Sequence, residues 1–355
     1  MSRTTSWPRR CARAFAALAL LGLTAWGALA LWYQGPAATP LRVALIAGWS
    51  LAGIAAAVGL MRARRRATLL AFGAAAVALL GWWSTLAPSH DRDWADDVAR
   101  LLEADVDGSR VTLRNVRNFH WRSETDYDIR WETRSYDLDR LATADLVMSY
   151  WMGPQIAHTL VSFGFDDGQR VVFSIEIRKE RDEHFSAIGG FFREFEAVLI
   201  AADERDIIRT RSNARGEQVY LYALDLDRAH LRALFLGYVG EADDLLRAPR
   251  FYNSLTSNCT TVIYDIARHV APGLPLDYRL LLSGYFAEYV YDLGGLAPGY
   301  GYPQLRARGH INARARAADA RGEDFSRAIR AGLPGVAPSP PVAAARDLDP
   351  RQEAE

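Results

Sequence analysis

AHTLVSFGFDDGQRVVFSIEIRKE, residues 157–180, decides what kind of fold the outer part of this chain adopts. Asp166-Asp167-Gly168 is a turn signal between two β-rich runs. A loop of those three residues pairs Phe165 with Gln169. Counting outward sets Phe163 opposite Val171, Val161 opposite Phe173 and Thr159 opposite Ile175. That face is apolar and belongs on a core. The other face sets Ser162 opposite Val172, Leu160 opposite Ser174 and His158 opposite Glu176. Opposed residues hold their Cβ atoms ~4.5–5.5 Å apart. The pairing therefore makes Glu176 a candidate to orient the His158 imidazole. A partly exposed cross-strand ion pair accounts for the same two residues.

Around this hairpin, strand-like runs occupy 110–121, 126–138 and 144–151. Hairpins rather than βαβ units dominate residues 110–225. The fold class is α+β with an antiparallel sheet. Helical patterns cover 91–105, 227–247, 256–270 and 322–335.

The helix beginning near 256 contains Cys259, the only cysteine besides Cys11. Apolar residues at 259, 262, 263, 266, 267 and 270 form its stripe, and Asn258 or Ser257 suits its N-cap. A thiol in a first helical turn meets the positive end of the helix dipole, which lowers its pKa. First-turn N–H groups also suit an oxyanion. The competing reading is a small buried hydrophobe. Asn258 and Tyr252 are side-chain candidates for an oxyanion donor. Arg178, Arg205 and Arg209 are candidates for lipid phosphate. For the charged run Asp203-Glu204-Arg205-Asp206, a solvated network is the favoured reading.

The chain has 355 residues, with 42 basic and 42 acidic side chains. This balance leaves no global basic field for nucleic acid. Three apolar stretches, 14–33, 41–60 and 67–86, each match the ~20 residues that cross a bilayer core. Arg42 interrupts only the edge of the second, where it can snorkel. Arg3, Arg9, Arg10 and Arg13 precede the first stretch, and Arg62, Arg64, Arg65 and Arg66 separate the second from the third. The positive-inside rule puts both clusters in the cytoplasm. The remainder is then periplasmic in a Gram-negative inner membrane. The expected divisions are an anchor at 1–88, a catalytic domain at 89–335 and a disordered tail at 336–355. Cys259 then lies on the oxidising side without a disulfide partner. His184 reads as a surface residue, and His120, His230, His269 and His310 show no ligand spacing. No metal, nucleotide or other cofactor motif occurs.

NVRNFHWRSETDYDIRWETRSYDL (115–138), residues 157–180, residues 191–224 and FYNSLTSNCTT (251–261) together resemble the Lnb N-terminal periplasmic domain family. The resemblance covers roughly 90–335. It implies a circularly permuted papain/NlpC-P60-like fold in which the His strand precedes the Cys helix. It also implies thiol acyl transfer, from a phospholipid to the terminal amine of a lipoprotein. On this chain Cys259 takes the place of the nucleophile, His158 of the base and Glu176 of its partner. Membrane lipid and a lipoprotein acceptor are the implied partners. A peptidoglycan peptidase with the same residues and a non-catalytic tethered scaffold are the alternatives. The three spans ahead of the domain depart from the family's simplest pattern.

Overall fold

The computed structural model describes residues 7–62 and 65–336. Arg3, Arg64 and residues 337–355 of the expected tail lie outside the described residues. The chain forms two compact units. Of the described residues, the first takes 7–62, 65–101, 175–198 and 244–258; the second takes 102–174, 199–243 and 259–336.

In the first unit, α1 (Trp7–Gln34), α2 (Thr39–Met61) and α3 (Arg65–Thr85) form where the three apolar stretches were read. All three are long and apolar enough to cross a membrane. Pro40 falls in the first turn of α2, where a missing N–H costs nothing. Small residues let the helices close on larger ones. A Cβ on Gly27 would fall 2.5 Å from the Trp49 ring. That ring donates from Nε1 to the Thr24 carbonyl at 2.8 Å and packs on Phe72 with centroids 4.8 Å apart. Association in lipid relies on such close packing and on hydrogen bonds between helices.

Residues 91–105 do not form the expected helix. A single 3-10 turn, Asp96–Val98, interrupts extended chain. Trp94 bridges to Glu180, and Ala95 N–H donates to the Lys179 carbonyl at 3.0 Å. The Arg178 guanidinium lies 4.2 Å from the centre of the Trp94 ring and donates to the carbonyls of Val98 and Ala99. Edge pairing with 179–181 thus takes the backbone groups that a helix would have used. The aspartates at 91, 93, 96 and 97 are weak helix formers.

Most residues of the main sheet belong to the second unit. In chain order its strands are β1 (Glu103–Asp107), β2 (Arg110–Arg117), β5 (Trp131–Asp137), β6 (Leu141–Tyr150), β7 (Ala157–Phe165), β8 (Arg170–Arg178), β9 (Glu196–Ala202) and β10 (Gln218–Ala223). A separate small hairpin pairs β3 (His120–Trp121) with β4 (Tyr127–Asp128). The sheet order is β1-β2-β9-β8-β7-β6-β10, with β5 also on β2. The pairs β1–β2, β2–β5, β6–β7, β7–β8 and β6–β10 are antiparallel. β2 meets β9 in a parallel bridge, Arg117–Ala202. Helices α4 (Glu204–Arg209), α5 (Arg228–Arg247), α6 (Cys259–Val270), α7 (Phe286–Asp292), α8 (Tyr302–Gly309), α9 (Asn312–Arg321) and α10 (Phe325–Arg330) complete an α+β architecture.

The hairpin keeps the register read from its turn: Phe163 opposes Val171, Val161 opposes Phe173, and Leu160 opposes Ser174. Its apolar face packs on α5. Phe163 and Phe173 meet Phe235 with centroids 5.1 and 5.2 Å away, and Phe173 stacks on Tyr238 at 5.1 Å. Each such ring stabilises the core by about 1.5–3 kcal/mol. The opposite face is buried as well: every residue of β7 is buried. Buried charge covers it. The Glu204 carboxylate accepts from Ser162 Oγ at 2.5 Å, and Arg330 of α10 bridges Glu204 and Asp145.

The charged run at 203–206 is therefore only partly solvated. Glu204 and Asp206 are buried. Asp206 binds Arg117 through Nε and Nη2, at 2.8 and 3.1 Å, and accepts from Phe119 N–H and Trp121 Nε1. α6 also starts later than expected, at Cys259. The Asn253 carboxamide oxygen accepts from the N–H groups of Leu255 and Thr256, and Ser257 N–H returns to the Asn253 carbonyl. That turn uses the residues before 258.

Candidate active site

β7 and α6 each supply one reactive side chain in the second unit. His158 is the second residue of β7 and is 8 % exposed. On one side β7 pairs with β6 out to Ala157–Tyr150, which sets Ser149 opposite His158. On the other side, the pairing with β8 ends at Leu160–Ser174. The imidazole Nε2 meets Ser174 Oγ at 2.7 Å.

Cys259 is the first residue of α6 and is 5 % exposed. Of the stripe expected from its sequence the helix buries Cys259, Val262, Ile263 and Ile266, with Ala267 and Val270 half-buried, and it buries Thr260 and Tyr264 as well. Gly237 of α5 allows the approach: a Cβ there would overlap the Ile266 side chain. Thr260 Oγ1 lies 3.4 Å from Thr159 Oγ1, beside His158.

The His158 imidazole is close enough to the Cys259 thiol to influence its ionisation. Burial pushes the thiol pKa up. The His158 charge and hydrogen bond, a backbone hydrogen bond from Thr159 and the Thr260 hydroxyl outweigh it, so the net direction is down. The pH dependence of iodoacetamide alkylation at Cys259 should therefore have its midpoint below the ordinary thiol value. In His158→Ala the burial contribution is left with less opposition, and the midpoint should rise. Peptide mass spectrometry separates Cys259 from Cys11. An unchanged midpoint in the variant would contradict this assignment.

Two further groups surround the pair. Tyr238 is fully buried, and among the described residues its hydroxyl has no hydrogen-bond partner. Burial, reinforced by the charge of Cys259, holds its pKa well above the ordinary phenol value. Glu217 accepts from Ser149 Oγ and pairs with Arg211 at 3.2 Å. Burial raises the Glu217 pKa, but Arg211, Ser149, Arg215 and then His158 bring it below the usual carboxylate value. Neither residue stands out in the sequence. Ser174 was within reach of the reading, since the hairpin register sets it two residues diagonally across from His158.

The remaining candidates divide. Glu176 is half-buried near the end of β8. Asn258 is buried and donates from Nδ2 to the Ser254 carbonyl at 2.9 Å. Tyr252 N–H donates to the Phe195 carbonyl at 2.9 Å. Arg178 holds Val98 and Ala99, and Arg209 binds the Asp319 carboxylate through two nitrogens at 2.7 and 2.8 Å. Arg205 is exposed. Among the described residues, no group of three or more His, Cys, Asp or Glu side chains is arranged to hold a metal ion.

Neither a curated protein nor a solved structure matches the chain. A family model does: residues 127–284, which include both His158 and Cys259, match the model of the Lnb N-terminal periplasmic domain.

Proposed function

We propose that this membrane-associated periplasmic protein is a thiol acyltransferase or hydrolase working through a thioester on Cys259. The observation that carries the reading is a buried thiol at the start of a helix, with an imidazole near enough to draw its pKa down. The order of a His strand before a Cys helix fits a circularly permuted papain/NlpC-P60-like arrangement. The arginine clusters flanking the spans support a cytoplasmic N-terminus.

His158 takes the Cys259 proton, and the thiolate attacks an ester carbonyl carbon of a phospholipid. The first-turn N–H groups of α6 face the tetrahedral oxyanion. As the ester C–O bond breaks, the leaving alkoxide takes the proton from His158. A thioester and a lysophospholipid result. An amine, such as the terminal α-amine of a lipoprotein, then attacks the thioester and gives its proton to His158. The C–S bond breaks and the proton returns to the thiolate. Water in place of the amine gives hydrolysis. The spans hold this chemistry at the surface where lipid is concentrated. Ser174 and Glu176 are the groups assigned to orient the ring.

Incubating the full chain in phospholipid vesicles should place a fatty-acyl mass on the peptide containing Cys259. Adding a peptide whose N-terminal cysteine carries a diacylglyceryl thioether should discharge that mass onto the peptide. Cleavage of peptidoglycan peptides without any acyl adduct would replace this reading with a peptidase.

A further inference from the structure

The first unit ties an extramembrane loop to the ends of two spans. Tyr33, near the end of α1, has its hydroxyl 3.2 Å from Ser186 Oγ. Gln34 donates from Nε2 to the Arg193 carbonyl at 2.7 Å. Arg193 donates from Nη1 to the Trp83 carbonyl at 2.8 Å, at the end of α3, and its guanidinium lies over the Trp83 ring. Phe192 stacks on Tyr33 with centroids 5.6 Å apart. Arg193 takes a left-handed backbone conformation, φ 58°, to make these contacts. Residues 186–193 are thus held where α1 and α3 leave the hydrocarbon, the level at which Trp and Tyr side chains collect.

The same loop turns large apolar side chains outward. Ile188 is 53 % exposed and Phe191 47 %, and Phe185 is exposed beside them. Leu255, 48 % exposed, is pinned to the loop by its neighbour. Ser254 N–H donates to the Gly190 carbonyl, and Ser254 Oγ to the Ala187 carbonyl. A Cβ on Gly190 would collide with Ser254, so glycine permits this clasp. Water is a poor neighbour for four apolar side chains gathered on one clasped loop.

We infer that Ile188, Phe191 and Leu255, with Phe185, insert into the lipid leaflet at the C-terminal ends of α1 and α3. Lipid is the occupant because the loop's fixed points are the ends of membrane spans. Apolar side chains at that depth lie at the headgroup–acyl boundary, where their burial is favourable. The loop forms a second, non-spanning contact with the bilayer. This inference rests on the spans alone and does not depend on the thioester chemistry.

The test uses the full chain, carrying Cys11→Ser and Cys259→Ser, in phospholipid vesicles. A single cysteine is placed by Ile188→Cys, Phe191→Cys or, as a polar reference, Arg247→Cys, and is labelled with an environment-sensitive nitrobenzoxadiazole. Labels at 188 and 191 should emit at shorter wavelength than at 247. They should be quenched several-fold more by lipid-borne doxyl groups than by aqueous iodide. Quenching by iodide and not by doxyl would overturn the inference. Shielding from both would also overturn it, in favour of a protein covering the loop. Because Cys259 is absent throughout, failure of acyl transfer leaves this readout intact.

Discussion

Cys259→Ala is expected to remove acyl-adduct formation and transfer completely while shifting the melting temperature by no more than a few degrees. The two effects separate because the sulfur contributes little volume. A small truncation at a buried site costs on the order of 1 kcal/mol, whereas no other group on α6 can form the thioester. Cys259→Ser keeps a similar shape but replaces the thiolate with a much weaker nucleophile, and should be equally inactive. His158→Ala should lower the acylation rate by roughly 10²–10⁴-fold, the usual range for a general base. Ser174 Oγ lies 2.7 Å from the ring's Nε2, so Ser174→Ala should cost about ten-fold, the equivalent of one hydrogen bond of about 1.4 kcal/mol. Glu176→Gln divides the orienting role: a loss larger than that of Ser174→Ala assigns it to the carboxylate, and no loss assigns it to the hydroxyl. Full activity in Cys259→Ala would defeat the acyltransferase and peptidase readings together and leave a tethered scaffold.

The parts of this fold that are legible in the sequence are those set by local period. The three spans follow from unbroken apolar runs. The register of β7 on β8 follows from Asp167-Gly168 and a period of two, as far as Leu160–Ser174. The strip of apolar residues after Cys259 marks α6, and the thiol falls at its start. What escapes is set by partners distant in sequence. Residues 91–105 have a helical pattern, but their backbone pairs with 179–181 instead. β7 alternates apolar with polar and so reads as half-exposed. Its polar face is buried because Arg330, far along the chain, closes over Asp145 and Glu204. The immediate neighbours of the thiol show the same division. His158 was found through the hairpin, while Tyr238 and Glu217 came from elements whose patterns speak only of packing.

Arg330→Met is expected to destabilise the second unit more than any change at the thiol. The Arg330 guanidinium donates to Asp145 Oδ2 through Nη2 and Nε at 2.7 and 2.9 Å, and to Glu204 Oε2 through Nη1 at 2.8 Å. All three side chains are buried. Removing this cation leaves two buried carboxylates with Arg170, 3.4 Å from Asp145, as a more distant counter-charge, and breaking one buried pair already costs about 3–5 kcal/mol. For a unit of this size that lowers the melting temperature by roughly 10 °C. The pH dependence gives the mechanism a sign. Burial pushes the Glu204 pKa up, but the Arg330 charge and hydrogen bonds, with help from Arg170 and Ser162, hold it at about 2. A folded pKa below the unfolded one, ~4.3, means that Glu204 stabilises the fold above the unfolded value. That contribution is lost as pH falls towards about 2. In Arg330→Met, burial acts with less opposition, and Glu204 takes up a proton more readily. The gap in melting temperature between variant and parent should therefore be widest near pH 7 and should narrow by pH 4. Adding Glu204→Gln and Asp145→Asn to Arg330→Met should recover part of the loss at pH 7, because neutral amides need no buried counter-charge. Scanning calorimetry of the full chain in micelles at the two pH values decides it. A gap of only a degree or two, or one that widens on acidification, would mean that the guanidinium fills space rather than neutralising charge.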